Sequence, residues 1–315
     1  MGKVIAVCTS VKRGTQKENV GKAQFDVEMG LHGDAHADHW HRQVSLLSAD
    51  KVEEFKARGA DVGPGAFGEN LLVEGIDFKH LPVGTQLRCG PVLLEMTQIG
   101  KECHSHCTIY KQVGDCIMPR EGVFARVLEG GEIKVGDEME IVERTTPYPY
   151  QAAVITLSDR CSRGEREDKS GPTIIERLKA EGYEIAEYLL LPDEKLSLQA
   201  NLIRLCDQRQ LDLILTTGGT GFSPRDISPE ATIAVADRLA PGIAEAIRAE
   251  SLKITPRAML SRAASVIRGK TLIINLPGSV KACNESMDVF LSQMPHAIEI
   301  LRNVPQDCGM PAPVK

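Results

Sequence analysis

Aromatic residues are scarce in this chain, 4% of 315 residues with a single tryptophan, and several other features are missing altogether. No apolar run approaches the roughly 20 residues that a membrane-spanning helix needs. Residues 1–10 hold a short apolar strand, Val4 to Val7, without the apolar core and cleavage site of a secretory leader. Basic residues are outnumbered and the net charge is −6, which removes the electrostatic reason to expect nucleic acid or an anionic membrane as partner. The nine cysteines are odd in number and scattered, apart from Cys103, Cys107 and Cys116. That pattern is unsuited to a disulfide framework and fits a reducing compartment, so the expected location is the cytoplasm. Neither common nucleotide-binding loop is present: Gly-x-x-x-x-Gly-Lys-[Ser/Thr] is absent, and Gly218-Gly219-Thr220-Gly221 is not Gly-x-Gly-x-x-Gly.

What is present organises itself around residues 213–234. Leu213 to Thr217 is an apolar, β-competent run. Gly218, Gly219 and Gly221 surround Thr220, a charged turn Arg225-Asp226 follows, and Ser228-Pro229-Glu230 reads as a helix start with Ser228 as cap. A strand, a glycine loop and a helix start bring backbone N–H groups to an anion at the carboxyl edge of a parallel sheet. Asp226 would repel a bare phosphate, so a bridging cation is implied, most simply Mg²⁺. The plain alternative is a structural strand-to-helix turn.

The length fits roughly two domains. The paired prolines of Thr145-Thr146-Pro147-Tyr148-Pro149-Tyr150 mark a linker, giving a first domain over 1–143, a linker over 144–150, a second domain over 151–303 and a tail over 304–315. The first domain carries short β-competent runs at 4–9, 44–47, 70–73, 86–89, 92–98 and 138–142 and one clear helix at 48–58, a β-rich, barrel-like or sandwich pattern. The second alternates: strands at 152–157, 184–191, 213–217 and 271–276 with helices at 172–181, 195–209, 229–239, 241–253 and 284–301. This predicts an α/β doubly wound domain with a mainly parallel sheet. Its strand ends carry Ser158-Asp159, Asp193, the Gly218–Asp226 loop and Pro277-Gly278-Ser279, a polar cleft in which Asp193 and Asp226 could hold Mg²⁺. Singly, Asp193 and Asp159 are equally readable as turn or helix-start residues.

Thr156-Leu157-Ser158-Asp159, Asp168-Lys169-Ser170-Gly171-Pro172, Leu191-Pro192-Asp193-Glu194, Thr216-Thr217-Gly218-Gly219-Thr220-Gly221, Arg225-Asp226-Ile227-Ser228-Pro229-Glu230, Ser261-Arg262 and Asn275-Leu276-Pro277-Gly278-Ser279 stand in one order. In that order the second half resembles the molybdopterin adenylyltransferase family of the molybdenum-cofactor-binding fold. The resemblance implies Mg²⁺-dependent adenylylation of molybdopterin by ATP with release of pyrophosphate, commonly in a homotrimer, alongside other proteins of molybdenum cofactor biosynthesis. It implies catalytic roles for Asp193 and Asp226, and nucleotide or pterin contacts from Ser158, Asp159, Gly218, Gly219, Thr220, Gly221, Pro277, Gly278 and Ser279. Ile227-Ser228 and Ser279-Val280 depart from the usual pairs, the latter touching the expected pterin contacts.

The first half carries Gly30-Leu31-His32-Gly33-Asp34-Ala35-His36, Gln43-Val44-Ser45-Leu46-Leu47, Gly68-Glu69-Asn70-Leu71, Glu95-Met96-Thr97-Gln98 and Cys103. This order resembles the MOSC family, named after the C-terminal domain of molybdenum cofactor sulfurase. The resemblance implies a barrel-like fold that binds molybdenum cofactor or transfers sulfur through Cys103. From the residues alone, Cys103-His104-Ser105-His106-Cys107, with Cys116 nearby, has ligand types suited to zinc but a crowded spacing that matches no standard finger, and inert reduced thiols are the plainer reading. A cofactor carrier, and a reductase using cofactor at Cys103, are the rival functions.

Overall fold

Short strands dominate the first half of the computed structural model, which describes residues 1–101, 110 and 114–303. They are β1 (Gly2–Thr9), β2 (Glu18–Asn19), β3 (Lys22–Asp26), β4 (Gly30–Leu31), β5 (Val44–Ser48), β6 (Leu71–Glu74), β7 (Gln86–Cys89), β8 (Val92–Ile99), β9 (Val123–Glu129), β10 (Gly131–Lys134) and β11 (Glu138–Val142). Strands β11, β7, β8, β9, β5, β6 and β1 hydrogen-bond in that order, and β1 pairs back onto β11, closing a ring of seven. Period-two alternation explains the two sides. Val44 and Leu46 of β5 face an inner cluster with Leu87, Leu94 and Met139, while Leu47 packs outside against Val52 and Phe55 of helix α1 (Ala49–Lys56).

Strands β2, β3, β4, β9 and β10 have no counterpart among the runs expected from the sequence. Arg126 and the flanking glycines disguise β9 as loop. In the ladder Arg126 stands opposite Glu95 of β8, whose buried carboxylate it contacts at 2.8 Å, so the charge is matched within the sheet. Cys103 and the Cys103–Cys107 cluster lie outside the described residues, as does the tail.

The chain divides into two compact units between Tyr148 and Pro149. In the second, β12 (Gln151–Leu157), β13 (Glu184–Leu191), β14 (Leu213–Thr217), β15 (Arg238–Leu239), β16 (Ser265–Arg268) and β17 (Thr271–Leu276) form one sheet in the order β13-β12-β14-β17-β16-β15. The first four strands run parallel and the last two pairings are antiparallel. The central strands are buried on both faces, as their continuous apolar runs require. Val154, Leu215 and Ile274 meet residues of α4 (Ser170–Ala180), α7 (Pro241–Ile254), α8 (Val280–Phe290) and α9 (Met294–Leu301) on one side. Ile155, Ile214 and Ile273 meet α5 (Lys195–Ile203) and α6 (Ser228–Ala234) on the other. Two further short helices are α2 (Met118–Glu121) and α3 (Asp159–Ser162).

Three helix expectations need correction. The run expected at 195–209 is α-helical to Ile203 and then forms a π-helical turn, Arg204–Gln208, in which Leu205 and Cys206 stay buried. The helix expected at 229–239 ends at Ala234, because Arg238–Leu239 is drawn into an edge ladder with β16. The helix expected at 284–301 begins at Val280 and breaks at Leu291–Gln293, where Pro295 in the next first turn cannot continue the preceding hydrogen-bond ladder. Among the described residues no helix is long and apolar enough to cross a membrane.

Candidate active site

Parallel register sets four strand ends level. Leu157 pairs with Leu191, Thr156 with Thr217, and Thr217 with Leu276, so the loops after β12, β13, β14 and β17 leave from one edge. Those loops carry Ser158-Asp159, Asp193, Gly218–Asp226 and Pro277–Ser279.

Backbone crowding accounts for the glycines. Gly218 has φ +96°, and a Cβ there would stand 2.3 Å from the Leu157 carbonyl oxygen. Gly219 has φ +64°, and its Cβ would meet Ser228 Oγ at 2.5 Å. Gly218 donates its N–H to Leu276 O at 3.2 Å and is therefore not open to an anion, contrary to the expected contact. The N–H groups of Gly219, Thr220 and Gly221 have no acceptor among the described residues, so three successive donors remain for a ligand. Ser228 is not the helix cap expected from the sequence. It is the first residue of α6, Ile227 takes the cap position, and the Ser228 hydroxyl reaches back to donate to Gly218 O at 2.7 Å.

Both candidate catalytic carboxylates touch this loop. Asp193 Oδ1 lies 3.3 Å from where a Cβ on Gly219 would stand, and Asp226 Oδ2 lies 2.9 Å from the corresponding point on Gly221. Asp226 Oδ2 also accepts the Ser223 N–H at 2.9 Å. Asp159 and Asp193 hold each other: the Asp159 N–H donates to Asp193 Oδ2 at 2.9 Å, and the Asp193 N–H donates to Asp159 Oδ1 at 3.1 Å. Arg225 grips the same Asp159 with two bonds of 2.9 and 2.7 Å. Burial pushes the Asp193 carboxyl up, with the negative charges of Asp159 and Asp226 adding to it. Arg225 holds Asp159 below the usual carboxylate range. Asp193 and Asp226 each keep one oxygen without a partner among the described residues. Such oxygens are the ligand type a hard divalent cation takes, but among the described residues no three potential metal ligands converge here.

The remaining expected contacts are partly committed to structure. Ser158 caps α3 and Ser279 caps α8, accepting from Cys161 and Ala282 N–H groups at 3.2 and 3.3 Å. The Pro277 carbonyl receives Thr217 Oγ1 at 2.7 Å and Cys283 Sγ at 2.9 Å, and Gly278 O receives Ser170 Oγ at 3.0 Å. Thr220 is buried, and its carbonyl accepts the Arg262 N–H at 3.0 Å.

Two residues had no role assigned from the sequence. Arg262 donates to Gly221 O at 2.6 Å and Asp226 O at 2.7 Å and pairs with Glu230, so one guanidinium fixes both ends of the loop. Asp168 gathers Thr156 Oγ1 at 2.7 Å, Tyr188 OH at 2.5 Å and the N–H groups of Ser170 and Gly171. Burial alone would raise Asp168, but these bonds outweigh it and hold it low, while burial and Asp168 push the Tyr188 hydroxyl up to about 12. The only signal for either was its place in a motif.

The first unit carries four histidines between residues 32 and 41, His32, His36, His39 and His41. His32 pairs with Asp26, His36 lies beside Asp34 and His41 meets Gln98, and among the described residues no three potential ligands cluster. Two buried polar features stand out instead: a Lys17–Asp34 ion pair at 2.6 Å, and Glu69, which accepts the Gly65 and Phe67 N–H groups at 2.7 and 3.1 Å. A cavity of about 380 Å³ near Met1, Lys3, Glu74 and Glu138 contains none of the candidate residues.

Comparison with known proteins follows the same division. A family described as a probable molybdopterin binding domain matches residues 153–296, and the MOSC domain family matches residues 32–140. A molybdopterin adenylyltransferase of Helicobacter pylori strain J99 is 42% identical over 157 residues, spanning 47% of this chain and 85% of the relative. That of Escherichia coli K12 is 43% identical over 138 residues, 43% of this chain and 70% of the relative. Gephyrin of Dictyostelium discoideum is 44% identical over 163 residues, 49% of this chain and 23% of its own length. The chain belongs to the molybdopterin adenylyltransferase family, with a MOSC domain fused ahead of the adenylyltransferase-like unit.

Proposed function

We propose that the second unit transfers adenylate from ATP to molybdopterin; the names of its relatives describe adenylyl transfer to molybdopterin for them. The terminal phosphate oxygen of molybdopterin attacks the α-phosphorus of ATP; the new P–O bond forms as the bond to the β-phosphate oxygen breaks, and pyrophosphate leaves. The observation that carries this reading is the glycine loop, with three open N–H donors between the carboxylates of Asp193 and Asp226. Gly219, Thr220 and Gly221 orient the phosphates through those donors, since alignment and charge neutralisation are the main demands of such transfers. Asp193 and Asp226 would hold Mg²⁺, which when bound would offset phosphate charge. Ser158, Asp159, Pro277, Gly278 and Ser279 line the rest of the cleft, and the doubly wound unit works as a homotrimer in the cytoplasm.

The MOSC unit binds, accepts or modifies the product, with Cys103 as the thiol. Fusion keeps one unit's product at high local concentration beside the other. The test is pyrophosphate release from molybdopterin, ATP and Mg²⁺, with Asp226→Asn as control. Release that requires molybdopterin and is lost in the variant supports the reading. Tight pterin binding without release would make the protein a carrier.

A further inference from the structure

The two carbonyls that follow β17 turn into the protein. Pro277 O accepts Thr217 Oγ1 at 2.7 Å and Cys283 Sγ at 2.9 Å, and Gly278 O accepts Ser170 Oγ at 3.0 Å. The donors come from three elements: Thr217 ends β14, Cys283 lies early in α8 and Ser170 opens α4. All three are buried. Packing alone does not ask for these polar groups, since valine has the shape of Thr217 and alanine would serve at the start of a helix. Burial pushes the Cys283 thiol up, so it keeps its proton and its capacity to donate. Peptide planarity then fixes what the other side of the loop shows. In a trans peptide the N–H points opposite to the C=O, and neither bond here is cis. With both carbonyls turned inward, the N–H groups of Gly278 and Ser279 face away from the buried donors, and neither has an acceptor among the described residues. A Cβ on Gly278 would stand 3.4 Å from Gly218 Cα, so this second pair of donors abuts the glycine loop.

We propose that Ser170, Thr217 and Cys283 are positioning residues: by holding the Pro277 and Gly278 carbonyls they aim the Gly278 and Ser279 N–H groups at the terminal phosphate of molybdopterin. This rests on the adenylyltransferase reading, which needs two phosphates side by side and gives the open donors of Gly219, Thr220 and Gly221 to ATP. The bracing is unequal. Pro277 O has two donors and Gly278 O has one. Either Thr217 or Cys283 therefore suffices at Pro277, while Ser170 has no substitute at Gly278.

The test follows pyrophosphate release by the full chain with each substrate varied in turn. Thr217→Val and Cys283→Ala should each raise KM for molybdopterin by no more than about threefold, and their double variant by at least about thirtyfold, well above the product of the two. Ser170→Ala alone should raise it about tenfold. KM for ATP should stay within about twofold throughout, and Thr217→Ser, which keeps the hydroxyl, should match wild type. A double variant that only multiplies the single effects, or that raises both KM values alike, would mean that these side chains serve packing alone, and the proposal would fall. Cys283→Val, which fills the thiol's space, serves if the alanine variant does not fold. Amide hydrogen exchange separates this role from the functional reading. Molybdopterin alone should slow exchange at Gly278 and Ser279 in wild type and leave it unchanged in the double variant. If wild type shows that protection yet releases no pyrophosphate, the adenylyltransferase reading fails and the positioning role stands; no protection in wild type would overturn the positioning role.

Discussion

Asp159 and Asp193 each accept the other's backbone N–H, at 3.1 and 2.9 Å, across two neighbouring parallel strands. This reciprocal pair separates the structural duty of Asp193 from its charge. Asp193→Asn retains an oxygen for the Asp159 N–H and loses only the charge. We expect kcat to fall by about 100-fold, as for removal of a preorganised electrostatic group, with the melting temperature unchanged or slightly raised. Pyrophosphate release and a thermal melt on the same preparation check this; unchanged turnover would remove Asp193 from the reaction.

The glycine loop offers a stability contrast. Gly218→Ala forces a side chain into positive φ and against the Leu157 carbonyl at 2.3 Å, and should destabilise the second unit by on the order of 3 kcal/mol. Gly242 in α7 has open space around its Cβ position, so Gly242→Ala should stabilise by about 0.4–1 kcal/mol. Urea unfolding of the two variants should move the second unit's transition in opposite directions.

Arg262 is expected to act on the loop's shape. Arg262→Lys keeps the charge and cannot reproduce a fork across Gly221 O and Asp226 O. The Michaelis constant for ATP should rise and kcat should fall, each by about tenfold, a change of roughly 1.4 kcal/mol per factor of ten. Steady-state kinetics that matched wild type would show that the loop keeps its shape without this clamp.

Glu69 gives the first unit a pH signature. Burial raises its carboxyl from an ordinary 4.5 to about 7, against the pull of backbone N–H donors that include Gly65 and Phe67. Because the folded value lies above the unfolded one, the folded state binds the extra proton. Its contribution is fully present below about pH 4.5 and is lost as pH rises through about 7, a change on the order of 3 kcal/mol. Glu69→Gln should flatten the first unit's stability between pH 5 and 8, the larger change lying at the alkaline end. An identical pH profile in the variant, from calorimetric melts, would contradict this.

What could be seen in the sequence was local. Alternating strands and helices, and glycines at a strand end, place Asp193, Asp226 and the Gly218–Gly221 loop along one sheet edge before any coordinates are consulted. The partners were not visible, because they depend on register between distant segments. Nothing near Asp159 in the chain points to Asp193, 34 residues on, or to Arg225, 66 residues on. Arg225 is next to Asp226 in the chain, yet its guanidinium bonds Asp159. Ser228 carries the local signature of a cap, yet the close approach of Gly219 turns its hydroxyl toward the loop. Strand β9 was hidden for the same reason: Arg126 becomes acceptable in a ladder only once Glu95 is known to lie opposite.

The closure of the barrel by β1 and β11 has a consequence for synthesis. Gly2 pairs with Met139, so within this unit the first strand to be made is completed by the last. Until Val142 has emerged, β1 and β7 each present an unsatisfied row of peptide groups, a template for pairing with another chain. Ring closure of such long-range pairs is slow compared with local hairpins. The vulnerable interval of the nascent barrel therefore falls before the second unit has emerged, and a truncation that removed β11 would make that interval permanent.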